Sequence, residues 1–268
     1  MSSPFADRAV LLTGASSGIG RELALALAAE RARLTLTGRD ETRLEAVAAE
    51  CRARGAEVVT LAADLTDEAA CRAAVERTLA AFGGLDVLLI NAGQDMRARI
   101  DELVDISVLE RLMRVNYLHA VWLAHRALPH LLRGRGRIVV VSSLAGLTGV
   151  PTRAGYAATK HALHGFFESL RVELAGSGVS VTLVCPDFVA SEIHRRALGP
   201  DGRALGTNPM QEARIMTAAR CAELVLTAAR RRRRLVLLSW RGKIGRWVRM
   251  FAPGLIDRVA ARAVARGR

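Results

Sequence analysis

A doubly wound parallel α/β sheet in a single domain is what this sequence predicts, and three observations predict it. Short apolar runs alternate with helix-length amphipathic stretches from residue 9 to residue 238. The first run opens into a glycine-rich turn, Thr13-Gly14-Ala15-Ser16-Ser17-Gly18-Ile19-Gly20, which leads into a helical pattern. Residues 240–268 break the alternation and read as a basic amphipathic C-terminal extension beyond a domain of residues 1–239.

Composition supports a large core. Of 268 residues, 51 % are hydrophobic and 24 % charged, which excludes a disordered chain. The net charge of +13 is unevenly placed. Residues 230–268 carry 13 Lys and Arg against one acid, Asp257, whereas residues 1–229 carry 26 basic and 25 acidic residues. No apolar run approaches the ~20 residues of a membrane-spanning helix, and the start, MSSPFADR, shows no secretory pattern. Cys51, Cys71, Cys185 and Cys221 have no CxxC spacing, so reduced thiols and a cytoplasmic setting are expected. The six His show no ligand spacing, and no metal is expected.

The elements follow in order. Residues 9–12 form the first strand. The turn after it brings Gly14, Ser16, Ser17, Gly18, Ile19 and Gly20 to a helix N-terminus, whose free N–H groups and positive dipole end suit a pyrophosphate. Residues 34–37 form the second strand, which ends at Gly38-Arg39 rather than at an acid. An Arg accommodates a ribose 2′-phosphate where an acid binds the free hydroxyl, so NADP(H) is expected over NAD(H). A helix over 43–54 and a strand over 58–62 lead to Asp64-Leu65, where Asp64 is placed either for an adenine amino group or as a helix cap. A helix over 67–82 and a strand over 87–90 end at Asn91-Ala92-Gly93. A long helix over 109–132 contains Asn116, a poor helix former that is either a surface accident or a device to loosen the helix and hold a water. The strand over 138–141 ends near Ser143, on the side where such sheets bind ligands. The helix over 154–174 places Tyr156 and Lys160 on one face, where an ammonium is expected to lower the phenol pKa from its usual ~10. A strand over 179–184, a polar Gly- and Pro-punctuated stretch over 192–216, a helix over 220–230 and a strand over 235–238 complete the domain.

Together TGASSGIG, Asp64, the NAG at Asn91–Gly93, Asn116, Ser143 and the Tyr156/Lys160 pair resemble the short-chain dehydrogenase/reductase family in its classical form, over residues 9–238. Residues 142–174 look most like its hydroxysteroid-dehydrogenase-like branch. The resemblance implies a Rossmann-type fold and a nicotinamide cofactor whose contacts also include Leu65, Val189 and Ser191. It implies that Tyr156 is the general acid/base, that Ser143 orients the substrate oxygen, that Lys160 lowers the Tyr pKa and binds the nicotinamide ribose, and that Asn116 holds a relay water. A homodimer or homotetramer is implied as well. The expected reaction interconverts an apolar carbonyl compound and its alcohol. A 3-oxoacyl carrier-protein reductase and a non-catalytic NADP(H) sensor are the alternatives. Two departures stand out: Asp187 follows Pro186 where the family usually has Gly, and Ser191 stands where a Thr is frequent.

The extension follows a run of five Arg, Arg230 to Arg234. Ile244, Trp247, Val248 and Phe251 recur at helical spacing among Lys243, Arg246 and Arg249, and the pattern restarts after Pro253-Gly254. Such a helix fits an anionic membrane surface, giving a peripheral cytoplasmic protein, or packing on its own or a partner subunit, or another acidic protein partner. Nucleic acid is not expected, since no aromatic platform accompanies the charge. Leu144, Leu147, Val150, Met96 and Phe188 are the expected walls of a substrate pocket.

Overall fold

The central apolar runs become strands because they are buried on both faces. In the computed structural model, which describes residues 3–207 and 215–265, the first three strands are β1 (Ala9–Thr13), β2 (Arg33–Gly38) and β3 (Val58–Ala62). They are followed by β4 (Val87–Ile90), β5 (Arg137–Val141) and β6 (Ser180–Cys185). A two-residue pair, β7 (Val189–Ala190) and β8 (Met216–Thr217), lies outside the main sheet, and β9 (Leu235–Leu237) completes it. The main sheet is parallel in the order β3-β2-β1-β4-β5-β6-β9. Strand order reverses between β1 and β4, which opens a crevice at their carboxyl ends where ligands of such sheets bind.

Successive strand residues serve opposite layers, as the pleat requires. Val10, Leu12, Leu89, Val139 and Val141 pack on one face with α1 (Gly18–Ala29), α2 (Glu41–Ala53) and α7 (Ala218–Arg230). Leu11, Leu88, Ile90, Ile138 and Val140 pack on the other, with α3 (Glu68–Phe82), α5 (His119–Gly134) and α6 (Ala154–Glu173). β3 lies at the sheet edge, and its residues are only half-buried. The expected Rossmann-type architecture is therefore present.

The helix expected over 109–132 is present but is not regular throughout. It is α4 (Ser107–Met113), then a wide π-turn over Arg114–Leu118, then α5. Asn116 sits inside the π-turn and is fully buried, so it is no surface accident. Extra-residue turns of this kind occur mostly at functional sites. The polar stretch over 192–216 forms turns and isolated bridges, Met96 to Leu198 and Leu198 to Ala204, before β8; its residues 208–214 lie outside those described.

The extension folds into α8 (Trp240–Phe251) and α9 (Pro253–Ala265), which pack on each other. No helix among the described residues is long and apolar enough to cross a membrane.

Candidate active site

A cleft of about 870 Å³ runs along the carboxyl edge of the sheet, toward the upper end of the ~300–1,000 Å³ usual for ligand pockets. Its first wall is the turn between β1 and α1. Gly14 holds a positive φ of 67°, and a Cβ on Gly20 would stand 1.9 Å from the Gly14 carbonyl oxygen, so only glycine lets the turn close. The first turn of α1 holds no acid, and its N-cap Ser17 makes no capping bond. Its N–H groups thus face the cleft without a competing anion, which fits a dinucleotide pyrophosphate.

Thr13, to which sequence reasoning assigned no role, secures the neighbouring wall. Its hydroxyl accepts from the Asn91 N–H at 2.9 Å and the Ala92 N–H at 3.0 Å. The Asn91 side chain donates to the carbonyls of Thr13 and Gly14 at 3.1 and 3.3 Å. Asn91 therefore joins β4 to the glycine turn, and Ala92 and Gly93 continue the wall.

Arg39 lines the far end with Asp40, Asp64 and Leu65. Arg39 is exposed and makes no ion pair among the described residues. Asp40 is turned away to other work: it caps α2 at the Arg43 N–H, 3.0 Å, and pairs with the Arg43 guanidinium at 3.3 Å. Asp64 accepts from the Thr66 N–H at 3.0 Å, while the helix-capping role weighed for it belongs to Asp67 on α3. Val189, Ser191, Ile19 and Ser16 line the cleft as well, with Ser191 beside Gly18 and Ser16 beside Gly38.

Ser143, Tyr156 and Lys160 converge on this cleft. Ser143 lies just beyond β5 and interacts with the Tyr156 hydroxyl. The Lys160 Nζ stands 5.6 Å from the Tyr156 ring centre and donates to the Val141 carbonyl at 3.3 Å. Asn116 fixes the floor: its Nδ2 donates to the Gln94 carbonyl at 2.9 Å and to Thr159 Oγ1 at 3.0 Å, and its Oδ1 accepts from the Gln94 N–H at 2.7 Å. Thr159 in turn donates to the Tyr156 carbonyl at 2.7 Å.

The electrostatics differ from the expectation. Burial pushes the Tyr156 phenol up to about 12, with Asp95 adding to the effect and Arg153 and Ser143 opposing it. Burial also lowers Lys160 to about 8. Desolvation dominates, opposed by Arg153 and Ser143 rather than by the Lys160 ammonium, so in this state the phenol is held protonated rather than pulled toward phenolate.

Two further residues were not found from the sequence. Arg153 lays its guanidinium 4.8 Å from the Tyr156 ring centre and 6.0 Å from that of Phe188. Its Nε donates to Asp95 Oδ1 at 2.8 Å and its Nη2 to Oδ2. Asp95 is 0 % exposed and also lies 3.9 Å from both Arg97 Nε and His194 Nδ1. The signal available was Arg153 three residues before Tyr156 on an inward helix face. Leu144, Leu147, Val150 and Phe188 do line the cleft, but Met96 is buried behind it against Val108, Leu112 and Tyr156. Met96 is therefore core rather than pocket wall, because the peptide after Asp95 turns it inward to bridge with Leu198.

Removing one partner of a buried ion pair strands the other charge. Arg153→Met should thus lower unfolding stability in urea by about 3 kcal/mol. The double change Asp95→Leu with Arg153→Met should recover most of that loss; equal stability of the single variant and the parent would exclude the pair from the fold's support.

Known proteins share this arrangement. Residues 8–199 match the short chain dehydrogenase family. The chain is 39 % identical over 227 residues to dehydrogenase/reductase SDR family member 7 of Homo sapiens, covering 82 % of this chain and 66 % of that protein. It is 35 % identical over 265 residues to 11-beta-hydroxysteroid dehydrogenase A of Sesamum indicum, covering 96 % of this chain and 75 % of that one. A crystal structure of a short chain dehydrogenase/reductase from Burkholderia phymatum in complex with NAD superposes with a TM-score of 0.84 at 28 % identity, over 94 % of this chain and 96 % of that one. With the sheet order, the glycine turn and the Ser143, Tyr156 and Lys160 cluster in place, the chain belongs to the short-chain dehydrogenase/reductase family of oxidoreductases, in its hydroxysteroid-dehydrogenase-like branch.

Proposed function

We propose that this chain is an NADP(H)-dependent oxidoreductase that interconverts a carbonyl compound and its alcohol, with Tyr156 as the proton-transfer group. The observation that carries the reading is one buried phenol, partnered by Ser143 and flanked by Lys160, in the same cleft as the glycine turn. When bound, the nicotinamide supplies or accepts the hydride. The protein's own residues handle the proton and the alignment. Ser143 holds the substrate oxygen, and Tyr156 donates its hydroxyl proton to that oxygen as the carbon is reduced. Lys160, anchored on the Val141 carbonyl, offers its ammonium to the ribose and to the phenol. Asn116 is a positioning residue that fixes Gln94 and Thr159 beneath the pair. Arg39, without an ion-pair partner among the described residues beside a committed Asp40, supports NADP(H) over NAD(H).

A phenol with a raised pKa is present almost wholly as the protonated donor through the neutral range, while the phenolate that oxidation needs is scarce. Reduction should hold its rate up to about pH 8, where the Lys160 ammonium begins to be lost, and oxidation should rise with pH through the neutral range by up to roughly tenfold per unit as phenolate becomes available. Tyr156→Phe should cut turnover by ~10²–10⁴ while NADPH binding persists; near-parental turnover would remove Tyr156 from the mechanism. In the same assays Arg39→Ser should weaken NADPH about tenfold and leave NADH unchanged.

The extension supports a peripheral contact with an anionic lipid surface. Trp247 and Phe251 stack on each other at 6.4 Å, yet are 63 % and 78 % exposed, with Ile244 and Met250 beside them and Lys243 on the same helix. Trp247→Glu with Phe251→Glu should abolish cosedimentation of the full chain with phosphatidylserine vesicles. Undiminished sedimentation of that variant would reject the contact.

A further inference from the structure

Asp187 and the basic extension meet at one point in the structure. Asp187 Oδ2 accepts from the Ser239 hydroxyl at 3.0 Å, and the same hydroxyl caps α8 by accepting from the Gly242 N–H at 3.0 Å. Gly242 lets α8 lie close to the loop that carries Ser143, since a Cβ there would stand 2.5 Å from Leu144 Cδ2. Gly245 and Val248 continue this partly buried face. Seated in this way, α8 brings Arg241, Arg246 and Arg249 to the rim of the cleft.

Those arginines have no ion-pair partner among the described residues, and α8 itself carries no acid. The cleft-lining acid nearest α8, Asp187, is already engaged with Ser239, and Glu192 is held by Arg43 at 2.7 Å and Arg196 at 2.6 Å. Asp40 and Asp64 belong to the far end, beside Arg39. Beside Ser143 and Tyr156 the wall is mainly apolar, formed by Leu144, Leu147, Val150 and Phe188, and the one guanidinium there, that of Arg153, is already paired with Asp95. Apolar walls beneath a rim of guanidinium groups that have no ion-pair partner among the described residues complement a ligand of matching polarity, and the planar fork of Arg receives a carboxylate through two parallel hydrogen bonds.

We propose that Arg246 and Arg249 bind the carboxylate of an otherwise apolar substrate, so that the natural substrate is a long-chain oxo acid, reduced to the hydroxy acid, rather than a neutral carbonyl compound. The inference rests on the oxidoreductase reading of the same cleft and deepens it. It also gives Asp187 a purpose: in place of a glycine, its carboxylate fastens the helix that carries the recognition groups.

The test is an equilibrium measurement on the full-length protein loaded with NADPH, in which the fluorescence of the bound nicotinamide reports ligand arriving beside it. Decanoate and decanol serve as probes, with the same chain and different heads. Decanoate should bind about tenfold more tightly than decanol. The double variant Arg246→Gln with Arg249→Gln should erase that difference while leaving decanol and NADPH affinities as they were. Both residues are exposed, so the fold should tolerate the change. Equal binding of the probes, or no binding of either, would overturn the proposal. A variant that loses NADPH affinity instead would assign the arginines to cofactor phosphates, which also overturns it. Because no turnover is read, failure here is separable from failure of the Tyr156 mechanism.

Discussion

Desolvation of one phenol governs this site. Tyr156 is 6 % exposed, packed with Met96, Val108 and Leu112, and burial raises its pKa to about 12. A buried hydroxyl needs partners, and those present explain much of the surrounding construction. Ser143 is brought to it by the end of β5, Lys160 by the next turn of α6, and Arg153 by the turn before. Two cations thus approach the ring, at 4.8 Å for Arg153 and 5.6 Å for Lys160. Asp95 neutralises the first without exposing it to water, and the Val141 carbonyl steadies the second. The π-turn at Asn116 belongs to the same arrangement, because its buried amide ties Gln94 to Thr159 and hence to the backbone of Tyr156 itself.

The strands and the glycine turn were legible in the sequence because each is a local pattern. An apolar run buried on both faces, or a turn with glycine at Gly14 and Gly20, carries its reason within a few residues. The convergence of Ser143, Tyr156 and Lys160 was legible for a similar reason: strand end and helix face set their directions. Arg153 and Asp95 were not, since they lie 58 residues apart and meet only through the fold. Periodicity across Asn116 marks the helix but cannot distinguish the wide turn within it from regular helix. Legible, too, was the amphipathic character of the extension, but not its seating. The aromatic stripe of Trp247 and Phe251 attracted attention, whereas the face turned toward the protein is the inconspicuous Gly242, Gly245 and Val248.

That seating changes how the extension is understood. A helix whose small residues face the catalytic loop and whose aromatic residues face outward is poised between two environments. Its attachment runs through Ser239 and Asp187, immediately after the strand that carries Cys185.

The phenol can be observed directly, because the chain has only two tyrosines. In a Tyr117→Phe background, ultraviolet titration of tyrosinate in the cofactor-free protein follows Tyr156 alone. Little tyrosinate should form as the pH passes ~10, where an unperturbed phenol is half ionised, and Arg153→Gln should delay its appearance further. Half-ionisation at or below that pH would contradict the account, for it would mean that the neighbouring cations, and not burial, set the protonation of the group on which the chemistry turns.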